Sequence, residues 1–311
     1  MVLRLVSKTE APVRRRGGVR FPAPETVEIG PMLADALTAR WKAFAGQLAR
    51  TRRRPSEREI HDMRVSTRRM IALLDILRDV LPQTDIPKVR RRMKHLLDAL
   101  SALRDVQVQI LHVRSLRRRF PDLDLYRTVL LVREKLMLKQ AKTELVEVRV
   151  QSIKRTLLEA QEELKDVLGR PAQAGALRPM VMGMMARKFA RAAALRPAAS
   201  TGNIAAIHRL RVAFKQFRYT VEVLQPVLPA VDQRLLRAMS AYQGRMGAVQ
   251  DINVLLSGIQ SHMTHHRRSD QTQYLRLRDH LRERRDELVG KFISAAAKLD
   301  GFWNAVRVSA H

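Results

Sequence analysis

A 23-residue segment occurs twice, as IHDMRVSTRRMIALLDILRDVLP from Ile60 and as IHRLRVAFKQFRYTVEVLQPVLP from Ile207. Ile, His, Arg, Val and the closing Val-Leu-Pro hold the same places in both copies. A basic residue stands seven positions after each His (Arg68, Lys215). Any fold for this chain must give the two copies equivalent surroundings, which divides the 311 residues into matching halves. The repeated positions are polar and cationic as well as apolar. The repetition therefore points to a site built from two matching sides, and not only to a repeated core.

Around the repeat the periodicity is helical, punctuated by proline and glycine. Residues 1–30 carry Pro, Gly and Arg without period and read as a flexible basic tail. Pro31 is placed to open a first helix ending near Arg54-Pro55. Ser56 with Glu59 forms a capping box for a second helix, which carries the first motif to Leu81-Pro82. Asp85-Ile86-Pro87 opens a third helix ending near Phe120-Pro121, and Asp122 caps a long fourth reaching about Leu168. In the second half, helices are expected over about 174–195 (stopped at Arg196-Pro197), from Gly202-Asn203 to Leu228-Pro229, over 231–261 and over 270–299. Strand signals such as alternating β-branched runs are absent. The expected fold is all-α, with half-repeats at 31–168 and 174–300, each a four-helix bundle, and a C-terminal tail at 301–311.

On a helix, with about 100° per residue, His61, Arg64 and Arg68 share one stripe and Arg69 lies to its side. In the second copy His208, Arg211, Lys215 and Tyr219 share the stripe, flanked by Arg218. The opposite faces hold Met63, Met70, Leu73, Leu74 and Leu77, and Leu210, Phe217, Val221 and Leu224. Each motif helix is thus apolar on one side and cationic on the other. The commonest meaning of a charged face is solvation. Here the same cationic stripe appears twice with no acid at i+4 to neutralise it, which favours a binding surface.

The following helix repeats more faintly. LSALRDVQV (100–108) aligns with MGAVQDINV (246–254), so that Asp105 matches Asp251 and Arg91 matches Arg237. Helical steps back from Asp105 reach Ser101, Asp98, Lys94 and Arg91; from Asp251 they reach Gly247, Ser240 and Arg237. Both stripes are expected beside the motif helices. The two Asp residues are read as orienting partners of arginines, with catalysis the minority reading.

Composition narrows the ligand. Fifty-nine Lys and Arg against 30 Asp and Glu give a formal charge of +29, which repels itself unless a polyanion neutralises it. Nucleic acid, polyphosphate and an anionic membrane are the candidates. Cysteine is absent, so disulfides, thiolate zinc sites and thiol catalysis are excluded, and a reducing compartment fits. Aromatics are 5%, few for base stacking. No stretch approaches the length of a transmembrane helix. The N-terminal MVLRLVSKTEAPVRRRGG lacks the apolar run of a secretory signal. His262, His265 and His266 read as a solvated loop, since no carboxylate or Cys completes a ligand set, and no metal or cofactor is expected. Met180, Met182, Met184 and Met185, with Trp41 and Trp303, read as packing residues.

The His-x-x-Arg-Val-x-x-Arg-Arg pattern at 61–69 and HRLRVAFKQFRY at 208–219 resemble the two motifs of the CHAD family, the helical domain named for its histidines. Leu103-Arg104-Asp105 resembles the Arg-Asp element that follows the first motif. The resemblance covers residues 31–300. It implies two four-helix bundles related by a pseudo-twofold axis around a central basic groove or pore. It also implies non-catalytic binding of inorganic polyphosphate, in the cytoplasm and at polyphosphate granules. Carried onto this chain, the polyphosphate ligands would be His61, Arg64, Arg68, Arg69, Arg91, Lys94, His208, Arg211, Lys215, Arg218 and Arg237, oriented by Asp105, Asp251 and Tyr219. Three positions depart from the pattern: Ile71 stands where the second copy has Arg218, Ser101 replaces a small Gly that Gly247 keeps, and Gln250 stands where the first copy has Arg104. The first half is expected to grip phosphate less strongly.

Two rivals remain at this point. Non-specific nucleic-acid binding suits the charge, but no helix-turn-helix, RRM or zinc-finger pattern occurs. A metal-dependent phosphohydrolase would need carboxylates near the phosphates, which the motif stripes lack, and no Walker-type loop is present. Oligomeric state is not indicated.

Overall fold

A computed structural model describes residues 28–121, 123–265 and 271–308. Most of the tail assigned to residues 1–30, the Asp122 cap, His266 and the side chain of His265 lie outside the described residues. The chain forms α1 (Ile29–Arg53), α2 (Glu57–Val80), α3 (Ile86–Leu116), α4 (Leu123–Glu147), α5 (Val150–Leu168), α6 (Pro171–Ser200), α7 (Ile204–Leu224), α8 (Gln233–His265), α9 (Gln271–Ile293) and α10 (Lys298–Val308). Among the described residues there is no strand. The fold is all-α, as the periodicity predicts.

The motif helices are closely bounded. Ser56 Oγ accepts the Glu59 amide at 3.3 Å at the start of α2. The other half of the expected capping box does not form: the Glu59 carboxylate instead accepts Gln47 Nε2 of α1 at 2.7 Å. At the start of α7, Asn203 Oδ1 accepts the Ala206 amide at 2.9 Å. Gly202 before it has φ of 85°, a left-handed conformation that a side chain would strain.

Three boundaries differ from expectation. The single long fourth helix is two helices, broken at Val148-Arg149 without a proline or glycine. The break is made from a distance. Arg52 of α1 donates to the carbonyls of Leu145 (2.8 Å), Val146 (3.2 Å) and Val148 (2.9 Å). Helix C-termini leave carbonyls unpaired and carry partial negative charge, so a guanidinium there ends the helix favourably. Second, α6 does not stop at Arg196 but carries both Pro179 and Pro197 in its interior. A proline removes one ladder bond, and the packing of α6 along α7 holds the helix through it. Third, the 301–311 segment is not a tail up to residue 308. Gly301 lies inside α10, which buries Leu299, Phe302 and Val306.

Neighbouring helices pack in the same order in each half. α1–α2, α2–α3 and α3–α4 are matched by α6–α7, α7–α8 and α8–α9. Across the halves, α2 meets α7 and α3 meets α8, so equivalent helices touch one another. The apolar residues do not sort into one core per half. One cluster runs from Leu33 of α1 through Leu73 of α2 and Phe217 of α7 to Phe302 of α10. A second joins the far ends of α3 and α4 (Val113, Tyr126) to those of α8 and α9 (Leu255, Tyr274). Trp41 stacks on Phe44, and Trp303 on Phe189 at 4.7 Å between centroids, both as packing residues. Met184 and Met185 are buried in the first cluster and Met182 packs against it, whereas Met180 is exposed.

Candidate functional site: a cationic recess between the motif helices

The contact of α2 with α7 brings the two stripes together. Arg68 from α2, Lys215 from α7 and Lys94 from α3 line one recess, and Arg64 of α2 and Arg211 of α7 lie close enough to act on Lys215. The chemistry of Lys215 records the crowding: its pKa is lowered from 10.5 to about 7, first by burial and then by Arg68, Arg211, Arg64 and Lys94. Both effects disfavour the ammonium form. Arg64 is lowered to about 10, by burial and then chiefly by Arg68. Lys94 is paired with Asp98. Among the described residues, Arg64, Arg68, Arg211 and Lys215 form no contact ion pair. The Nε atoms of Arg68 and Arg211 are buried with no hydrogen-bond partner. Orphaned buried donors are rare and costly.

The two halves differ at the small residue of the third-helix stripe. Arg64 Nε donates to Ser101 Oγ at 3.3 Å. At the matching place Gly247 offers no acceptor; a Cβ built there would lie 3.6 Å from Arg211 Nε. The serine partly satisfies the first arginine, and the glycine leaves the second unpaired. This is a physical basis for the weaker grip expected of the first half.

The histidines also differ. Both are exposed. His61 is held below its ordinary pKa, first by burial and then by Arg104. His208 Nδ1 lies 3.0 Å from Gln250 Oε1. Arg104 and Gln250 occupy matching positions, so a cation beside one histidine is replaced by a hydrogen-bonding amide beside the other. Arg104, which is not among the predicted ligands, also pairs with Glu57.

Asp105 and Asp251 make no contact ion pair among the described residues. They act on the arginines from further away. Asp251 favours the charged form of Arg211, and Asp105 that of Arg64. Burial pushes the Asp251 carboxyl up, opposed by Arg211.

Several predicted ligands fall elsewhere. Arg218 is only 9% exposed. It donates to Gln243 Oε1 (3.0 Å) and Glu222 Oε1 (2.7 Å), and its guanidinium lies 4.4 Å over the Tyr219 ring. Its donors are turned inward, so it is an internal strut. Arg69 faces α1 and approaches Glu222 Oε2 at 3.6 Å. It lines a separate groove with Arg40 and Arg50. Arg91 and Arg237 are exposed on α3 and α8 and do not line the recess. His262, expected in a solvated loop, is 6% exposed within α8 and packs against the rings of Tyr126 and Tyr274.

Other residues of the recess stand outside the predicted stripes. Its cavity, about 300 Å³, is also lined by Asp75, Arg90 and Lys188. Asp75 pairs with Arg90 and lies 3.9 Å from Lys188 of α6, which donates to Thr220 Oγ1 at 2.8 Å. The signal for Asp75 was present: it aligns with Glu222, so an acid stands at the same place in both repeats. Among the described residues no group of three or more His, Asp or Glu is placed to hold a metal ion.

The chain as a whole is similar to known helical domains. The CHAD domain family profile matches residues 35–260. The crystal structure of the CHAD domain from the plant Ricinus communis superposes with a TM-score of 0.59 at 17% identity, covering 93% of this chain and 97% of that one. At that identity the likeness speaks to the fold. No curated protein matches. With the profile spanning both motifs, and the two motif helices packed together as described, the chain belongs to the CHAD domain family.

Proposed function

We propose that the recess and the cationic surface around it bind inorganic polyphosphate without chemical turnover. The observation that carries this reading is the set of Arg68, Arg211 and Lys215: buried or half-buried, mutually repelling, and without a contact acid. Such a cluster costs free energy when empty, and an anion offsets that cost. Arginine offers a planar fork to two phosphate oxygens and lysine a mobile point charge, which suits a chain that is phosphate throughout. The family resemblance supports the same ligand. Exposed Arg91 and Arg237 extend the positive field, and exposed His61 and His208 add ring nitrogens that can hydrogen-bond phosphate.

The recess opens between packed helices, and its cations lie inside. A thread one phosphate wide can reach them, whereas the phosphates of a duplex are held on a rigid cylinder. Base stacking has no platform here, since Tyr219 is covered by Arg218. A competition assay tests the assignment. Excess polyphosphate is expected to displace nucleic acid from the protein far more readily than the reverse. Equal mutual displacement would mean the charge acts diffusely. The non-catalytic reading is tested by phosphate release from polyphosphate with added magnesium or manganese; sustained release at stoichiometric excess would overturn it. Where polyphosphate granules form, this binding would place the protein on them.

A further inference from the structure

The outer face of α4 carries apolar side chains where a solvated helix would be polar. Leu125, Val129, Val132 and Leu136 recur at alternating steps of four and three residues, within about 60° of one another on the helix. Each is 41–57% exposed. The inner face is a separate set, burying Leu123, Tyr126, Leu130, Ala141 and Leu145. The outer series keeps its register through Lys139 and Thr143 to exposed Val146, about 32 Å in all.

The fold itself does not demand this face. α9 is the counterpart of α4, and its Tyr274, Leu277 and Leu281 enter the second apolar cluster at the same spacing as Leu123, Tyr126 and Leu130. In that register the four outer residues of α4 correspond to Arg276, His280, Glu283 and Glu287 of α9. One half thus keeps the polar outer face expected of a surface helix, and the other replaces it with a seam. Contiguous exposed apolar residues rimmed by polar ones mark interaction sites.

The rim identifies the occupant. Arg133 stands on one side of the seam, Lys135 on the other and Lys139 within its continuation; all three are exposed, and among the described residues none makes a contact ion pair. The acids of α4 are turned to other partners: Asp124 pairs with Arg117, Glu134 accepts from Gln107 and Glu144 meets His95, while Glu147 stands at the C-terminal end. Alternating steps of four and three with charges on both flanks are the pattern of a coiled-coil strand. A second copy would set these cations against themselves, between bodies of charge +29. The chain's own first 27 residues repel them too, with six Lys and Arg against two acids. A helix lying in a membrane surface presents a broad apolar face, whereas this one is a narrow seam. We infer that the outer face of α4 docks an acidic amphipathic helix of another protein, with apolar residues at coiled-coil spacing and Asp or Glu on both flanks. Among the described residues α4 contributes nothing to the lining of the recess, so docking leaves the recess open and is tested without polyphosphate.

The probe is a labelled synthetic peptide of three heptads, with Leu at the two core positions and Glu at the two flanking positions of each. One control carries Ser in place of Leu, and another Lys in place of Glu. Fluorescence anisotropy with the full chain at about 150 mM salt screens diffuse attraction. The Leu–Glu peptide is expected to bind at least about tenfold more tightly than either control. Val132→Ser/Leu136→Ser should lower it to the level of the serine control. Arg133→Glu/Lys135→Glu should turn the preference toward the lysine peptide. Should the first variant fail to fold, the second decides alone. Equal binding of the leucine and serine peptides would reduce the face to diffuse charge, and a preference surviving in the first variant would place it elsewhere; either overturns the proposal. A dimer in sedimentation that the first variant dissociates would assign the seam to a second copy instead. Flotation with vesicles of phosphatidylglycerol and phosphatidylcholine, lost in that variant while wild type does not distinguish the peptides, would assign it to a membrane.

Discussion

The ammonium group of Lys215 gains nothing from its surroundings until an anion arrives. Folded, its pKa is about 7; unfolded, it returns to the ordinary 10.5. The unfolded chain therefore binds more protons between those values, and stability contributed at this residue rises as pH rises from about 7 toward 10.5. Bound polyanion favours the charged form, so binding takes up a proton above pH 7. Polyphosphate affinity is expected to fall by up to about tenfold per pH unit between pH 7 and 9. Lys215→Met should flatten this slope and weaken binding, and Lys215→Arg should flatten it while keeping affinity. A slope unchanged in both variants would remove Lys215 from the site. His61, whose pKa is already lowered by burial and Arg104, contributes only below its ordinary 6.5. Gly247 offers a second test at this scale. Gly247→Ser adds a hydroxyl where Ser101 accepts from Arg64, occupying the Arg211 Nε that is now unpaired. Weaker binding by about threefold is expected in titration, with an unchanged melting temperature. Tighter binding would mean that the unpaired donor plays no part.

At the scale of elements, the repeat made the two motif helices legible, and amphipathic periodicity located their cationic faces. The facing of Arg218 was not legible. A stripe assigns a side chain to an angle, and Arg218 sits close enough to the boundary for Glu222, Gln243 and the Tyr219 ring to draw it inward. Arg218→Ala leaves a nearly buried carboxylate without its main partner and is expected to cost about 3 kcal/mol in denaturant unfolding. Polyphosphate affinity per folded molecule should change little. Loss of binding with full stability would restore Arg218 as a ligand. The break between α4 and α5 was hidden for a different reason: Arg52 makes it from 93 residues away in sequence. Arg52→Ala should free those carbonyls and speed amide exchange over residues 145–152, leaving α2 and α7 protected. Unaltered exchange there would show that the break does not depend on Arg52.

For the whole molecule, the charge of +29 sets a field that any polyanion feels, whereas the recess is a local structure. The all-α fold was legible in the helical periods and the absence of strand signals, and the cation cluster of the candidate site in the doubled stripe. The cavity was not legible, because helix packing brings Arg90 of α3 and Lys188 of α6 to it from outside those stripes. Counterion release makes both kinds of binding weaken with salt, so the measurement must be made where diffuse attraction is screened. The most direct test is calorimetric titration of long-chain polyphosphate and of duplex DNA at about 150 mM salt, where the Debye length is about 8 Å. Wild type is compared with an Arg68→Ala/Arg211→Ala double variant. Tight polyphosphate binding by wild type, weakened at least about hundredfold in the variant and not matched by DNA, is the predicted result. Comparable binding of both polyanions, unchanged by the two substitutions, would contradict the recess as the receptor.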